Sequence, residues 1–261
     1  MKQRIITSIL IILVVLFPIL LGGWLLQLLG VAVVCCGCYE WCRALKGAET
    51  WGKFVIPVMI VWILFQYVLV AVLPFSAFRL LAWWILGLVF FWTLPVFNTS
   101  VSEESTMGIL SFALIMGIVY LCIQLLIPQH QYLFTLVLAT YGSDTGAYFA
   151  GRFLGKHKMI PRVSPKKTWE GFAGGLILGF VLSLCVSQLY LYSLNPALNL
   201  WLCILAPAFA ELGDLCFSSF KRAFGLKDFS SVLPGHGGIL DRLDSLIMNF
   251  LLFGFLFCLF A

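Results

Sequence analysis

Glu211, Asp214, Ser218 and Lys221 follow one another at steps of three, four and three residues. That spacing lays two carboxylates, a hydroxyl and an ammonium along one stripe of an α-helix. Leu212, Leu215, Cys216, Phe217 and Phe220 cover the rest of the same stretch. Further on, Asp241 and Asp244 are three apart with Arg242 between them, so on a helix both carboxylates project to one side while the guanidinium points elsewhere. Such a pair suits a hard divalent cation: Mg²⁺ takes a few carboxylate oxygens and completes its shell with water and substrate phosphates. The competing reading is a helix N-terminus whose dipole favours acids. Beside Asp214 and two basic segments, the balance moves to the metal.

The basic segments supply the opposite chemistry. Residues 151–170 carry Arg152, Lys156, Lys158, Arg162, Lys166 and Lys167. Ser164, Pro165, Lys166, Lys167 and Thr168 set two ammonium groups beside hydroxyls at a helix start, which favours phosphate binding, although a basic cluster can also serve topology alone. Thr140, Tyr141, Asp144, Tyr148 and Arg152 lead into this segment near one helical face. Residues 218–244 hold Lys221, Arg222, Lys227 and Asp228, then Gly235, Gly237 and Gly238. Glycine N–H groups near a helix start can cradle phosphate, a weak signal by itself. His236 reads as a hydrogen-bonding or orienting residue rather than a metal ligand.

The elements that position these groups must lie in a bilayer. The chain is 62% hydrophobic and only 10% charged, where a soluble domain carries about 25% charge, and its mean hydropathy is +1.06. A soluble enzyme, a nucleic-acid reader and a disordered tail are excluded. The formal charge of +5 is gathered into short stretches between apolar runs. At about twenty residues per span, those runs fall near 5–21, 24–39, 54–73, 79–97, 107–127, 132–150, 171–193, 200–217 and 239–260. The expectation is an all-α polytopic membrane protein of about nine transmembrane helices. Residues 1–130 would form a scaffold of five helices, and residues 131–261 the catalytic helices with two basic loops, all in one membrane domain. Lys2 and Arg4 precede the first run without a small-x-small cleavage site, so it reads as a retained helix. An acid at mid-bilayer costs about 2.5–3.5 kcal/mol, which makes Asp144, Glu211, Asp214, Asp241 and Asp244 functional candidates by default.

The positive-inside rule orients the bundle. Lys2, Arg4, Arg43, Lys46, Lys53, the run 152–167 and the run 221–242 share one side, and Arg79 falls on the other. The N-terminus is therefore expected in the cytoplasm, the C-terminus outside, and the basic loops in the cytosol. Cys35, Cys36, Cys38 and Cys42 include a C-x-x-C spacing, but no second ligand pair matches it, so they read as packing residues.

Ser218, Lys221-Arg222, Lys227-Asp228, Ser230, Pro234, His236-Gly237-Gly238 and Asp241-Arg242-x-Asp244 together resemble the signature of the phosphatidate cytidylyltransferases, also called CDP-diacylglycerol synthases. Ser143-Asp144-Thr-Gly-Ala-Tyr148, Gly155-Lys156-His157 and Val163-Ser-Pro-Lys-Lys-Thr-Trp-Glu-Gly171 are similar to the same family, so the resemblance covers residues 140–245. It implies transfer of the cytidylyl group of CTP to phosphatidate, with Mg²⁺ as cofactor, in a bacterial inner membrane, and a possible homodimer. It assigns Lys221, Asp241, Asp244, Ser218 and Arg242 to catalysis. Lys166, Lys167, Arg222, Lys227, His236, Gly237 and Gly238 would bind substrate, and Asp214, Asp241, Asp244, Asp144 and Asp228 the metal. Another CTP-dependent lipid enzyme, such as a polyprenol kinase, would keep the metal site and change the lipid pocket. A cation transporter would not need two basic loops on one side.

Overall fold

The computed structural model describes residues 13–71, 77–190, 195–233 and 237–260. Helix α1 covers 13–21 and breaks at Gly22 and Gly23, whose φ angles of 64° and 57° are left-handed. It is followed by α2 (Gly23–Ala44), α3 (Ala48–Ala71), α4 (Ala77–Trp92), the single turn α5 (Leu94–Phe97) and α6 (Glu103–Leu126). Then come α7 (Gln131–Phe153), β1 (Lys158–Ile160), β2 (Ser164–Thr168), α8 (Trp169–Ser187), α9 (Pro196–Ala223) and α10 (Leu240–Phe260). Side-chain caps set three of the starts: Ser102 accepts from Ser105 N–H, Thr168 from Gly171 N–H, and Asn195 from Ala197 and Leu198 N–H with Pro196 following.

Six helices among the described residues are long and apolar enough to cross a membrane, which makes this an integral membrane protein. Among the described residues a helical segment overlaps each apolar run, but three of the nine expected spans do not meet that test. The first run lies partly outside the described residues. Helix α4 has 16 residues, about 24 Å at 1.5 Å per residue against a hydrocarbon core of about 30 Å. Helix α7 is 23 residues long, but Thr135, Thr140, Ser143, Asp144 and Thr145 interrupt its apolar surface.

A second departure is the two-stranded antiparallel hairpin, which pairs Lys158 with Thr168 and Ile160 with Ser164. An isolated hairpin is marginal alone, and two ties hold this one. Trp169 N–H donates to His157 O, and the Glu170 carboxylate accepts from the Lys156 and His157 N–H groups and contacts His157 Nδ1 at 2.6 Å. The strand signal is weak in the sequence because Pro165 stands in β2, where only an edge tolerates it.

Two apolar cores result. One centres on Trp41 of α2, which stacks on Phe112 of α6 at 4.5 Å and faces Phe217, Phe220, Phe224 and Phe229. The other joins the end of α6 to α7, α9 and α10 through Leu126, Leu136, Leu202 and Phe253. Helices α7 and α8 pack backbone to backbone: a Cβ at Gly142 would lie 3.1 Å from Gly179 Cα, and one at Gly175 2.9 Å from Ser143 O. Small residues allow this approach in a membrane. It is what brings the hairpin at the head of α8 over the acids of α7 and α9.

Candidate active site

The Lys167 ammonium, from β2, lies 2.6 Å from Glu211 Oε2 and 2.7 Å from Asp214 Oδ2 on α9, with Glu211 O a third acceptor at 3.3 Å. Burial works against the charged lysine, but the Asp214 and Glu211 carboxylates outweigh it and hold its pKa above the ordinary 10.5. Ser143 of α7 donates to Pro207 O at 3.1 Å and reaches Glu211 Oε1 at 3.5 Å, and Ser218 donates to Asp214 Oδ1 at 3.4 Å. Glu211, Asp214 and Ser218 of the α9 stripe are therefore one connected network, and Lys221 stands outside it.

Asp144 of α7, Asp214 of α9 and Asp244 of α10 converge: Asp144 and Asp244 each interact electrostatically with Asp214 and with one another. Lys167 and Arg242 act on Asp144, and Lys221 on Asp244. Three helices thus hold carboxylates within electrostatic reach of one another, with lysines and an arginine acting on them. Among the described residues no three acidic, thiol or imidazole groups form a metal cage by themselves.

Asp241 has different company. Its Oδ1 accepts from Lys221 Nζ at 2.8 Å, and its Oδ2 accepts from the Phe229 and Gly238 N–H groups, each at 2.9 Å. The Lys221 and Asp241 side chains are 10% and 3% exposed, and Lys221 Nζ also lies 5.7 Å from the centre of the Phe229 ring. Both oxygens of Asp241 are engaged within the protein, so it ties the loop to α9 and α10.

The glycine turn is filled from within as well. Gly237 has φ 87° and its carbonyl accepts from Leu233 N–H, the Gly238 N–H goes to Asp241, and the next two N–H groups, of Ile239 and Leu240, donate to Glu40. Among the other expected residues, Lys166 is exposed and lines a cavity with Asp144, Lys167 and Asp214. Arg222 is exposed and donates to Leu226 O at the end of α9. Lys227 and Asp228 are exposed on the loop. Pro234, Gly235 and His236 lie outside the described residues. The cysteines of α2 are free thiols, with Cys38 and Cys42 buried.

Two cavities lie along α7. A polar one of about 360 Å³ is lined by Asp144, Tyr148, Arg152, Lys166, Lys167 and Asp214. An apolar one of about 550 Å³ runs between α1, α2, α6, α7 and α10, lined by residues such as Val15, Leu29, Val33 and Val137, with Tyr141 and Arg242 also on its wall. Tyr141, on the wall of the second cavity, is one turn of α7 from Asp144, which lines the first.

Sequence reasoning passed over Glu40. Its run was bounded at residue 39, which left this carboxylate in a loop, whereas α2 continues to Ala44 and buries Glu40 to 1% exposure. A lone acid inside an apolar, cysteine-rich helix was the available signal.

A family model described as the cytidylyltransferase family matches residues 2–260. A protein of Bacillus subtilis named phosphatidate cytidylyltransferase is 33% identical over 277 aligned positions, covering 100% of this chain and 99% of that protein. Proteins of the same name from Staphylococcus haemolyticus and Staphylococcus aureus are 50% and 44% identical over 119 and 115 residues. Each of these matches spans 44% of this chain and 44% of the relative. With the family pattern running nearly end to end over this helical bundle, this chain belongs to the cytidylyltransferase family.

Proposed function

We propose that this protein transfers the cytidylyl group of CTP to phosphatidate, releasing pyrophosphate and forming CDP-diacylglycerol. The observation that carries this reading is the pairing of two unlike cavities along α7: a pocket rimmed by Lys166, Lys167 and Arg152 is lined by Asp144, and one helical turn away an apolar pocket has Tyr141 and Arg242 on its wall. A triphosphate fits the first by charge. A molecule with hydrocarbon tails and an anionic head fits the second, its head meeting the Arg242 guanidinium. The names of the relatives support the same reaction.

The chemistry matches these groups. A phosphate monoester is already an anionic nucleophile at neutral pH, so neither a strong general base nor a Ser-His-Asp set is required. One phosphatidate oxygen attacks the α-phosphorus of CTP, the bond to the β-phosphate breaks, and pyrophosphate departs with the electron pair. Arg242, Lys166 and Arg152 neutralise the two anions and align them, and Lys167 exchanges part of its contact with Asp214 and Glu211 for phosphate oxygens. Asp144, Asp214 and Asp244 suit Mg²⁺, which prefers one or two carboxylates with the remaining positions taken by substrate phosphates and water; when bound, it supplies Lewis-acid neutralisation of the triphosphate. Asp241 supports the site through Lys221. The positive-inside pattern supports a reading with the basic loops in the cytosol, the N-terminus inside and the C-terminus outside, and the bacterial relatives support a bacterial inner membrane. A homodimer rests on the family resemblance alone.

The test is an assay of purified protein in detergent micelles with phosphatidate, Mg²⁺ and each of the four nucleoside triphosphates, following pyrophosphate and nucleotidyl-lipid together. CTP alone should give both products, and only with Mg²⁺. Phosphorylation of a polyprenol with release of CDP, and no product from phosphatidate, would overturn the proposal.

A further inference from the structure

Glu40 sits in α2, far in sequence from every residue of the site, yet its carboxylate is spent on the segment that carries Asp241. Oε1 accepts from the Ser230 hydroxyl at 2.6 Å and from Ile239 N–H at 2.9 Å, and Oε2 accepts from Leu240 N–H at 2.8 Å. Leu240 opens α10 and Ile239 immediately precedes it, so a carboxylate from another helix satisfies two otherwise unpaired donors at its start and complements its dipole. A Cβ at Gly238 would lie 2.7 Å from Glu40 Oε2 and 2.8 Å from Oε1. A side chain at residue 238 would therefore push the Glu40 carboxylate off its donors, and the Gly238 N–H donates to Asp241.

The segment 229–240 is thus tied twice. Asp241 joins its ends through the Phe229 and Gly238 N–H groups, and Glu40 joins Ser230 to Ile239 and Leu240. The neighbouring Trp41 ring lies 5.7 Å from Phe229 and 5.1 Å from Phe220. Consecutive residues of α2 therefore grip the loop and the end of α9 together. The loop in turn supplies Leu233 and Ile239, and α10 supplies Arg242, to the wall of the apolar cavity.

Resting on the cytidylyltransfer reading above, we infer that Glu40 is a positioning residue: through the Ser230 hydroxyl and the N–H groups at the start of α10 it fixes Gly238, and with it the Lys221–Asp241 pair and the placement of Arg242. The first half of the chain is then part of the catalytic apparatus and not only a scaffold. Glutamine at this position keeps the shape and one acceptor oxygen but turns an amide donor toward the backbone donors, and alanine removes all three contacts.

The experiment compares wild type with Glu40→Gln, Glu40→Ala, Ser230→Ala and the surface control Glu104→Gln, whose side chain is 73% exposed. Turnover and backbone hydrogen exchange are measured on each purified full-length protein. Glu40→Ala should lose about 100-fold in kcat, the scale of a small misplacement of reacting groups, with Glu40→Gln between it and wild type. Exchange should quicken over 229–241 and stay unchanged in α7 and α8. Where Glu40→Ala does not accumulate, Ser230→Ala, which deletes one bond to a charged acceptor, should lose roughly 10-fold with the same local exchange signature. Glu104→Gln should match wild type in both readouts. Unchanged turnover and loop exchange in the Glu40 variants would overturn the inference, and so would exchange that rises equally along the whole chain. If wild type makes no CDP-diacylglycerol, the proposed activity fails and the exchange pattern alone decides the clamp.

Discussion

The Lys167 ammonium lies 2.7 Å from Asp214 and 2.6 Å from Glu211, so a base expected to meet phosphate is seated on two acids of α9. The Glu211 side chain is 3% exposed, and removing the lysine leaves that charge buried without its partner, a loss of about 3–5 kcal/mol for a buried pair. Lys167→Ala should therefore lower the Tm of the detergent-solubilised protein, and Lys167→Ala with Glu211→Gln should recover part of the loss. Additive losses in the double variant would show that the two side chains do not depend on one another.

The same pair fixes a pH dependence. The folded pKa of Lys167 is raised above the ordinary 10.5, so its contribution to stability is complete below that value and declines only as pH rises through the higher folded one. Thermal unfolding followed against pH should show no Lys167-dependent loss through neutrality. The difference in Tm between wild type and Lys167→Ala should shrink only in strongly alkaline buffer. A difference that vanishes near neutral pH would contradict the ion-pair assignment.

The acids divide into two sets. Asp144, Asp214 and Asp244 converge from three helices, whereas Asp241 is held by Lys221 and two backbone N–H groups. Each Asp→Asn variant should cost at least about 100-fold in kcat, the size of losing one preorganised charged contact, while the protein still inserts. A Mg²⁺ titration should separate them: Asp214→Asn and Asp244→Asn should raise the Mg²⁺ concentration for half-maximal rate, and Asp241→Asn should leave it unchanged. An equal shift in all three would place Asp241 with the metal set.

The apolar cavity makes a prediction about one substrate only. Val33 and Val137 line it away from the acids, and filling it with Val33→Trp or Val137→Phe should raise KM for phosphatidate several-fold and leave KM for CTP unchanged. Steady-state kinetics in mixed micelles, varying each substrate in turn, provide the check. An equal effect on both substrates would mean that the cavity does not hold the lipid tails.

Much of this site was legible in the residues, because a helix converts spacing into direction. The steps of three and four from Glu211 through Asp214 to Ser218 do link up along α9 through Lys167 and the Ser218 hydroxyl, while Lys221 turns to Asp241. Three features were not legible, each for a physical reason. The hairpin that delivers Lys167 is held by Glu170 and the close packing of α7 on α8, which are tertiary facts. Asp241 and Asp244 share a spacing that permits one face, but the contacts of Asp241 with the Phe229 and Gly238 N–H groups are tertiary and no spacing carries them. Glu40 lies one residue past an apolar run, and its partners are about 190–200 positions away; hydropathy cannot see a bond of that range.

The most direct test of the account follows the phosphorus atoms. Purified protein is given phosphatidate, Mg²⁺ and CTP labelled at the α-phosphate in one reaction and at the γ-phosphate in another, and the lipid and pyrophosphate fractions are counted. Attack at the α-phosphorus predicts label in the lipid from α-labelled CTP alone, with the γ label recovered wholly in pyrophosphate. Label passing from the γ-phosphate into lipid, with CDP left behind, would contradict cytidylyl transfer and make the protein a kinase.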